Sequence, residues 1–543
     1  MKKFVTEKLS AIAEELGFGS ANFNVEVPPR SSMGDFATNL AMVISGNPRE
    51  NAAKVIELLV KLPEIEKAEI AGPGFINITL KSEIILSELA KILEQKELYG
   101  RTSVGKGKTV NVEYISANPT GPLHVGNARS GPIGAAIANV YEFLGYDVTR
   151  EYYVNDVGIQ IGKFERSLAY WYLVKANPAL EFPEGGYPAA YIKETSEEVQ
   201  KNYADKLAII ANNESEMLKL FREEGLRLMI EKIKQDAKLL GIVFDKFSYE
   251  SEFSETGRSK EAIEKLKQLG FTAEKDGAIW FKRPDDANLE DLESVLVKSD
   301  AGKTLTYFAN DISYHLDKIG RGFDKIIDVW GANSSGHIPR MKAAMKALGY
   351  SEDILEIVLY QFIRLTKAGK SFSMGKRLGN FVTLKEVIEA GVQPDAYKYF
   401  ILSQNLNTPF DFDIDLAADR SEKNPVFYIK YAHARICSIL AKTGEDAAGA
   451  DLSLLTNEKE VSLMKEIIKF PEIVSEVAID FQVQSLPHYA YKIAKLFHDF
   501  YGSCRIVDEA VEIRTARLAL ILATKSVLKN VLNLCSIEAP DKM

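Results

Sequence analysis

One turn in the middle of the chain concentrates residue types that suit a nucleotide. Residues 116–129 read Ser-Ala-Asn-Pro-Thr-Gly-Pro-Leu-His-Val-Gly-Asn-Ala-Arg, which places His124 and Asn127 three positions apart in a segment rich in Gly and Pro. An imidazole and a carboxamide can both donate hydrogen bonds to phosphate oxygens, and such donors stabilise charge that develops there. The stretch lacks the pattern Gly-x-x-x-x-Gly-Lys-Ser/Thr that cradles a γ-phosphate. We therefore expect ATP chemistry at the α-phosphate.

The residues on either side of this turn predict the elements that hold it. A β-rich run at 109–115, Thr-Val-Asn-Val-Glu-Tyr-Ile, leads into the turn, and a helical pattern at 131–144 leads out of it. The start of a helix offers unpaired N–H groups and the positive end of a dipole, which suits a phosphate. Glycines in the turn let a flat nucleotide approach the backbone. The sequence thus predicts a strand, a turn and a helix start around His124 and Asn127.

A second segment has the composition of a loop that closes over a triphosphate. Residues 371–384 read Ser-Phe-Ser-Met-Gly-Lys-Arg-Leu-Gly-Asn-Phe-Val-Thr-Leu, so glycines flank Lys376 and Arg377. A mobile loop with a lysine can cover bound phosphates, although basic surface turns with no such role are common. Thr383 is a suitable N-cap for a helix from Lys385. Both segments lie at strand-to-helix turns of one α/β region, where open parallel sheets bind ligands.

Size, charge and cysteine content are typical of a large globular protein. The length of 543 residues predicts about three or four domains. The net charge of −9 argues against a global basic field, but a local basic surface for RNA remains compatible with it. Cys437, Cys504 and Cys535 are not spaced as the cysteine pairs of metal sites are, and the six histidines show no His-x-x-x-His pattern. We therefore expect reduced thiols and no protein-bound metal. Glu7 and Glu14 interrupt the apolar N-terminal residues, and no long apolar run follows, so the expected location is the cytoplasm.

The pattern of elements divides the chain into three parts. Residues 1–105 mix strand patterns with helical patterns, one of them at 37–44, and form a small α+β module. Strands and helices alternate over 106–413, which indicates a parallel α/β sheet, with an insertion at about 160–300. Every candidate element in 414–543 is helical.

Both Gly-rich segments resemble the two signatures of the class I aminoacyl-tRNA synthetases. His124-Val125-Gly126-Asn127 stands where that family has His-Ile-Gly-His, and residues 373–377, Ser-Met-Gly-Lys-Arg, stand where it has Lys-Met-Ser-Lys-Ser. Four further stretches, in the right order along the chain, are similar to the arginyl branch of the family: 113–124, 150–156, 431–435 and 537–543. The resemblance implies a Rossmann-type catalytic domain, an N-terminal domain that contacts tRNA and an all-α domain that binds the anticodon.

Several positions depart from the family pattern. Asn127 replaces the second signature histidine; it keeps an N–H donor but cannot carry a proton charge. Ser373 and Gly375 replace a lysine and a serine, so Lys376 alone keeps an ammonium in register, with Arg377 beside it. These departures leave open an inactive tRNA-binding paralogue. A cysteinyl-type or glutamyl-type enzyme and a small nucleotidyltransferase are the remaining competing hypotheses.

The resemblance implies a ligase reaction in two steps. The carboxylate of L-arginine attacks the α-phosphate of ATP, which gives arginyl-adenylate, and the 2′-hydroxyl of the terminal adenosine of tRNA(Arg) then accepts the arginyl group. His124, Asn127 and Lys376 are the catalytic residues implied, and Mg²⁺ would arrive with the substrate. The implied ATP-binding residues are Pro119, Gly121, His124, Gly126, Asn127, Met374 and Lys376.

An arginine pocket needs acidic groups that match a planar guanidinium. By resemblance, Tyr307 and Asp311 would hold the guanidinium, while Glu113 and Asn118 would hold the amino-acid end or shape the pocket. Asp328 is a weaker candidate because its neighbourhood departs from the pattern. The implied arginine-binding residues are Glu113, Asn118, Tyr307, Asp311 and Gln361.

The resemblance also implies that tRNA contacts both terminal domains. In the C-terminal domain the candidates for stacking and phosphate contact are Tyr431, Arg435, Arg514 and Arg517. In the N-terminal module Phe75 and Asn77 are candidates for an unstacked base, although core packing is the favoured interpretation of Phe75. His433 is interpreted as a packing residue. A monomer is expected from the resemblance.

Overall fold

The computed structural model describes residues 1–19, 21–28, 30, 33–284, 294–371, 382–444 and 447–543. The chain begins with helices packed on a four-stranded antiparallel sheet of order β1-β2-β4-β3. The elements are α1 (Lys2–Glu15), β1 (Val25–Glu26), β2 (Phe36–Thr38), α2 (Leu40–Val43), α3 (Pro48–Leu59), β3 (Ile65–Ala71), β4 (Phe75–Leu80) and α4 (Ser82–Gln95). Helices α1 and α3 bury Leu9 and Val55 in the core of this module.

The helix predicted at 37–44 is wrong for its first half. Residues Phe36–Thr38 form β2, which pairs with Ile76–Ile78 of β4, and the helical part is confined to Leu40–Val43. Asp35, just before β2, accepts a hydrogen bond from the Leu80 N–H at 2.9 Å. Pairing with a distant strand overrides the local helical pattern here.

Residues 109–418 contain both helices and strands. Among the described elements, the alternation predicted for 106–413 is interrupted by runs of one kind, such as the helices within 159–239 and the strands within 272–297. The helices are α5 (Val125–Ala128), α6 (Ser130–Phe143), α7 (Ile159–Leu173), α8 (Ala190–Asn202), α9 (Ala204–Ile209), α10 (Glu214–Leu239), α11 (Ser251–Ser254), α12 (Arg258–Gln268), α13 (Tyr307–Gly320), α14 (Ile338–Ala347), α15 (Leu384–Glu389), α16 (Pro394–Leu402) and α17 (Ile414–Ala418). The strands are β5 (Thr109–Glu113), β6 (Asp147–Val154), β7 (Lys246–Tyr249), β8 (Thr272–Lys275), β9 (Ala278–Phe281), β10 (Ser294–Val297), β11 (Lys325–Gly331), β12 (Leu355–Tyr360), β13 (Ile363–Lys367), β14 (Lys370–Ser371) and β15 (Phe410–Asp413).

The central sheet is parallel and has the order β12-β11-β5-β6-β7. The chain adds β6 and β7 on one side of β5 and then returns to add β11 and β12 on the other side. The order therefore reverses between β5 and β11, and their carboxyl ends flank the crevice where such sheets bind ligands. The α/β fold with a parallel sheet is confirmed.

The sequence predicted one insertion at about 160–300. In the structure two separate segments leave the central sheet, and we call them the first and second excursions. Helices α7 to α10 connect β6 to β7, and β7 then joins the edge of the central sheet. The second excursion carries the antiparallel sheet β10-β9-β8 and ends where α13 begins. Strand β7 has only four residues, so its period-2 pattern is too short to stand out from the surrounding loops.

The C-terminal part is all-helical, as predicted. Its helices are α18 (Pro425–Thr443), α19 (Glu458–Ile467), α20 (Phe470–Asp480), α21 (Ser485–Ser503) and α22 (Val511–Leu534). Helix α22 packs against α4, and Leu89 of α4 belongs to the same hydrophobic core as these helices. Among the described helices, none combines the length and the apolar composition that a membrane crossing needs.

Candidate active site

A cavity of about 540 Å³ opens at the reversal point of the central sheet. Its walls come from the turn after β5, the end of β11 and the β12–β13 turn, and its rim includes both flanks of the second Gly-rich segment. The lining residues are His124, Val125, Gly126, Asn127, Gly331, Ala332, Asn333, Tyr360, Gln361, Phe362, Ile363, Arg364, Leu365, Ser371 and Val382. A cavity of this size and position suits a nucleotide.

His124 is held at the mouth of this cavity by its own helix. It is the N-cap of α5, and its Nδ1 accepts a hydrogen bond from the Asn127 N–H at 3.3 Å. Burial lowers the pKa of the His124 imidazole, so the ring is neutral near pH 7 and carries its proton on Nε2. A Cβ on Gly126 would lie 3.1 Å from the ring, so this glycine makes room for the imidazole. The arrangement makes His124 a neutral donor.

The backbone between β5 and the turn adopts an unusual conformation. Ile115 has φ 68° and Ser116 has φ 41°, a region that β-branched residues rarely occupy. The Ser130 Oγ accepts from the Ile115 N–H at 3.1 Å, and the Ser116 hydroxyl donates to Glu113 Oε1 at 2.9 Å. The predicted strand therefore ends at Glu113, two residues early. Such strained backbone is concentrated at functional sites.

The rest of the first signature packs against the first excursion. The Tyr191 hydroxyl of α8 donates to the Thr120 carbonyl at 3.0 Å, and a Cβ on Gly121 would lie 2.7 Å from that hydroxyl. Pro119 is buried, whereas Asn118 is exposed and donates to Gln160 Oε1 at 2.8 Å. Pro119 and Gly121 thus shape the turn, and Asn118 faces outward towards α7.

The second signature lies outside the described residues. This applies to Ser373, Met374, Gly375, Lys376 and Arg377, which fall within 372–381.

The flanks of that segment do lie at the cavity. Ser371 and Val382 line it, and Thr383 pairs with His124 in an antiparallel bridge. Thr383 is also the N-cap of α15, where Glu386 completes a capping box, so the predicted helix start is confirmed. The Gly-rich segment therefore begins and ends beside the first signature.

Glu250 and Asp311 interact with each other near the start of helix α13, and we call the region around these two carboxyl groups the acidic pocket. Thr306 caps the helix, and Tyr307 and Asp311 follow on one face, four residues apart. Burial raises the pKa of Asp311 to about 6 and that of Glu250 to about 7. The hydroxyl of Tyr153 is buried in the same acidic surroundings. Glu250 and Tyr153 were not predicted from the sequence, because the elements that carry them come together only in the folded sheet.

Beneath this pocket lies a buried ionic group that we call the helix-anchor cluster: Glu113, His315, Lys318 and Asp328. The Lys318 ammonium is 2.6 Å from Glu113 Oε2 and 2.8 Å from Asp328 Oδ1, and His315 Nε2 is 2.7 Å from Asp328 Oδ2. Burial acts to raise the pKa of Asp328, but Lys318 and His315 outweigh it and hold it at about 2. Glu113 is thus committed to Lys318 and Ser116. It shapes the pocket rather than lining it freely.

Gln361 lines the cavity, and a buried arginine holds its backbone. Arg129 is fully buried at the junction between α5 and α6, where its guanidinium donates to the carbonyls of Gln361, Phe362 and Asn405. Phe410 lies under the guanidinium with its ring centroid 4.8 Å away, and burial lowers the pKa of Arg129 to about 10. No role was predicted for Arg129 from the sequence, and its place at the end of the first signature stretch, five residues after His124, was the available signal.

The four tRNA-binding candidates of the C-terminal domain have different surroundings. Arg435 donates to the Tyr431 hydroxyl and lies 4.8 Å from the Tyr431 ring and 5.0 Å from the Tyr501 ring. Arg514 is half-buried on α22. Arg517 pairs with Glu460 at 2.6 Å and with Glu509 at 3.1 Å. Tyr431 and Arg435 therefore form a partly exposed aromatic and cationic surface, whereas Arg517 ties α22 to α19.

The predicted packing of Phe75 and His433 can be compared with the structure. Phe75 is 40% exposed at the start of β4, so the favoured core packing is wrong, and Asn77 shares its face of the strand.

His433 is buried and its Nδ1 donates to the Pro540 carbonyl at 2.9 Å, as expected of a packing residue. Among the described residues, His433, Cys437 and Asp541 have possible metal-ligand atoms within 4.8 Å of one another. Cys437 donates to Asp541 Oδ1 at 3.2 Å in this group.

Three family models match the chain in sequence order. Residues 1–80 match the arginyl tRNA synthetase N terminal domain, residues 88–401 match the catalytic domain of class I (R) tRNA synthetases, and residues 429–543 match the DALR anticodon binding domain. The second match alone covers more than half of the chain.

Known proteins resemble the chain over its whole length. It is 40% identical to the arginine–tRNA ligase of Caldanaerobacter subterraneus, over 98% of this chain and 97% of that one. It is also 40% identical to the arginine–tRNA ligase of Bacillus subtilis, over 100% and 99% of the two chains. The arginyl-tRNA synthetase of Thermus thermophilus shares the fold at a TM-score of 0.79, 21% identity and full coverage of both chains. The chain therefore belongs to the arginyl-tRNA synthetase family of the class I aminoacyl-tRNA synthetases.

Proposed function

We propose that this chain activates L-arginine with ATP and transfers it to the 2′-hydroxyl of the terminal adenosine of tRNA(Arg). The observation that supports this most is the pairing of His124 with Thr383, which brings the described flank of the second Gly-rich segment to the cavity that the first signature lines. Helix α13, with its acidic pocket, leads directly into β11, whose end lines the same cavity. ATP and a cationic amino acid can thus meet at the reversal point of the sheet.

In the first step the arginine carboxylate displaces pyrophosphate from the α-phosphate. His124 donates its Nε2–H, and Asn127 its carboxamide N–H, to phosphate oxygens as charge moves onto them. Neither residue needs to transfer a proton, because the attacking carboxylate is already ionised. The substitution of asparagine for the second signature histidine is therefore compatible with this step, which depends on alignment and on charge stabilisation.

The leaving pyrophosphate needs cationic partners. Lys376 supplies one from the Gly-rich segment, and Met374 contacts the nucleotide there. Arg364 of β13 is a lining residue of the cavity whose guanidinium pairs with Asp411 at 2.8 Å, and we assign it as a further cation. The described lining residues include no carboxylate, so Mg²⁺ fits this site as an ion carried by the phosphates of ATP. When bound, it neutralises charge on the β- and γ-phosphates.

Arginine selection rests on helix α13. Asp311 and Tyr307 bind the guanidinium, Glu250 adds a second acidic group, and Gln361 is assigned to the amino-acid end. Asn118, which donates to a side chain of α7, is assigned to shaping the pocket. A neutral isostere such as citrulline leaves the carboxylates without charged partners, which costs about 2 kcal/mol or more per group. A binding step of this kind discriminates strongly without an editing domain.

We assign tRNA contacts to both terminal domains. Tyr431 and Arg435 offer an aromatic ring and a cation for an unstacked anticodon base, and Arg514 offers a phosphate contact. Arg517 supports this surface through its ion pairs rather than by phosphate contact. Phe75 and Asn77 present a second face at the N-terminal domain. A monomeric state and a cytoplasmic location stay predictions from the sequence.

The test is ATP–pyrophosphate exchange with arginine, cysteine or glutamate, each with and without tRNA(Arg). We expect exchange with arginine alone among the three amino acids. Exchange with cysteine or glutamate instead would reassign the substrate. Tight binding of tRNA(Arg) without exchange in any arm would show an inactive paralogue.

A further inference from the structure

The ring of His315 lies between two groups that can only accept hydrogen bonds. Its Nδ1 is 2.7 Å from the backbone carbonyl oxygen of Asp311, and its Nε2 is 2.7 Å from Asp328 Oδ2. A carbonyl oxygen never donates, and a carboxylate donates only when it is protonated. A neutral imidazole has one N–H, so it would leave one of these contacts as a lone pair facing a lone pair.

The surroundings keep Asp328 ionised. The Lys318 ammonium lies 2.8 Å from Asp328 Oδ1, and both side chains are fully buried. A proton on Asp328 would therefore break a buried ion pair, which is strongly unfavourable. With Asp328 ionised, both ring nitrogens of His315 must carry protons to satisfy their neighbours.

The other charges around the ring are compatible with a second cation. His315 and Lys318 lie on α13, Asp328 lies on β11, and Glu113 on β5 is 2.6 Å from Lys318. Burial raises the pKa of Glu113, while the adjacent Lys318 acts to lower it; with Glu113 ionised, the helix-anchor cluster contains two cations and two anions and is neutral. In agreement, the opposing carboxylate of Asp328 outweighs burial and raises the pKa of His315.

The position of His315 connects this cluster to arginine binding. Asp311, His315 and Lys318 follow one another on one face of α13, at spacings of four and three residues. The ring is fastened to the Asp311 backbone on one side and to β11 on the other. The His315 ring thus sets the distance between the central sheet and the turn of helix α13 that carries Asp311, which we call the Asp311 turn.

We propose that His315 is a positioning residue for arginine, held as an imidazolium that donates both ring N–H groups and so ties the Asp311 turn to strand β11. The proposal rests on the proposed role of Asp311 in binding the guanidinium. The two cations of the helix-anchor cluster cancel Glu113 and Asp328. Asp311 and Glu250 thus remain as the acidic groups directed to the substrate.

The direct test of the charge is ¹⁵N NMR of the intact enzyme with labelled histidine at pH 8.5. An ordinary imidazole with a pKa of about 6.5 is about 99% neutral at that pH. We expect one of the six histidines to show two protonated ring nitrogens, and His315→Asn to remove that signal. Neutral spectra for all six, or a doubly protonated signal that His315→Asn leaves in place, would overturn the proposal. If this variant does not fold, the wild-type spectrum still decides the charge.

The test of positioning is the split between the KM values for arginine and ATP. We expect His315→Asn to raise the KM for arginine about tenfold or more and that for ATP less than threefold. His433→Asn is the matched control, since it removes another buried helical imidazole that donates to a carbonyl. Equal changes for both substrates, or an unchanged KM for arginine, would overturn positioning. Absence of arginine-dependent exchange in the wild type would instead contradict the proposed function, while the NMR result would stand.

Discussion

His124 and Thr383 face each other as an antiparallel pair. The Val125 N–H donates to the Val382 carbonyl at 3.0 Å, and the Leu384 N–H donates to the Leu123 carbonyl at 2.8 Å. These two bonds fix one end of the second signature segment against the helix start of the first. His124 and Val382 thus line the same cavity.

Removal of the His124 imidazole should slow adenylate formation. We expect His124→Ala to lose about 10²–10³-fold in arginine-dependent ATP–pyrophosphate exchange, because a preorganised donor to the developing charge is lost. The exchange rate at saturating arginine, ATP and tRNA measures this. His488→Ala, at an exposed histidine of α21, is the control with unchanged rate. A loss below about fivefold would remove His124 from the mechanism.

Neutralisation of Asp311 should weaken arginine binding selectively. Asp311→Asn keeps the shape of the side chain but removes a charged acceptor, which is worth about 1.5–3 kcal/mol. The KM for arginine should therefore rise about 10- to 100-fold, with a smaller change in the KM for ATP. Measurement of both KM values in the exchange assay checks this. An unchanged KM for arginine would place the guanidinium elsewhere.

Arginine binding should also depend on pH in a defined direction. The pKa values of Glu250 and Asp311 are raised to about 7 and about 6, so both side chains take up protons as the pH falls through this window. The protonated forms bind a guanidinium less well. The KM for arginine should thus rise from pH 7.5 to pH 5.5 while the KM for ATP stays nearly constant. A flat profile for arginine would contradict the assignment of these two carboxyl groups.

Arg129 should affect both stability and nucleotide binding. Arg129→Met removes the donors to three backbone carbonyls, and each buried acceptor left unpaired costs about 1–3 kcal/mol. Urea unfolding should show a clear loss of stability, and the KM for ATP should rise because Gln361 and Phe362 line the cavity. Arg129→Lys keeps the charge without the fork of donors and should recover only part of both effects. Wild-type stability in Arg129→Met would contradict this role.

The aromatic surface of the C-terminal domain should matter for tRNA alone. Tyr431→Ala removes a stacking platform worth about 1–3 kcal/mol per base, so the KM for tRNA(Arg) should rise about tenfold with an unchanged KM for arginine. Aminoacylation assays with varied tRNA measure this. Lys442→Ala, at an exposed position near the end of the same helix, is the matched control. Equal effects of both variants would show a general charge or folding effect instead.

The sequence predicted the elements around the cavity well where local patterns decide the structure. The strand before the first signature, the helix after it and the cap at Thr383 follow from β-rich composition, helical period and side-chain capping. The strand ends early because Ile115 and Ser116 turn into the left-handed region, which hydrogen bonds to the side chains of Ser130 and Glu113 stabilise. Nothing in the local pattern of residues 114–116 predicts that conformation.

Residues that act through long-range contacts were harder to predict. Lys318 looks like an ordinary surface lysine in a helix, yet it is fully buried between carboxylates of two strands. Lys318 lies three residues after His315 and seven after Asp311, which shows that they share a helix face but not what that face contacts. The strand partner β11 becomes known only when the sheet order is known. The same limit applies to Glu250, which comes to the pocket from the end of β7.

The most direct test is a crystal structure with a non-hydrolysable arginyl-adenylate analogue. The account predicts the adenosine and phosphate mimic in the cavity between His124 and the segment that carries Lys376, with His124 Nε2 within hydrogen-bond distance of the α-phosphate mimic. It also predicts the guanidinium on Asp311, with the His315 contacts to Asp311 and Asp328 intact. An analogue bound away from this cavity, or a guanidinium with no contact to α13, would contradict it.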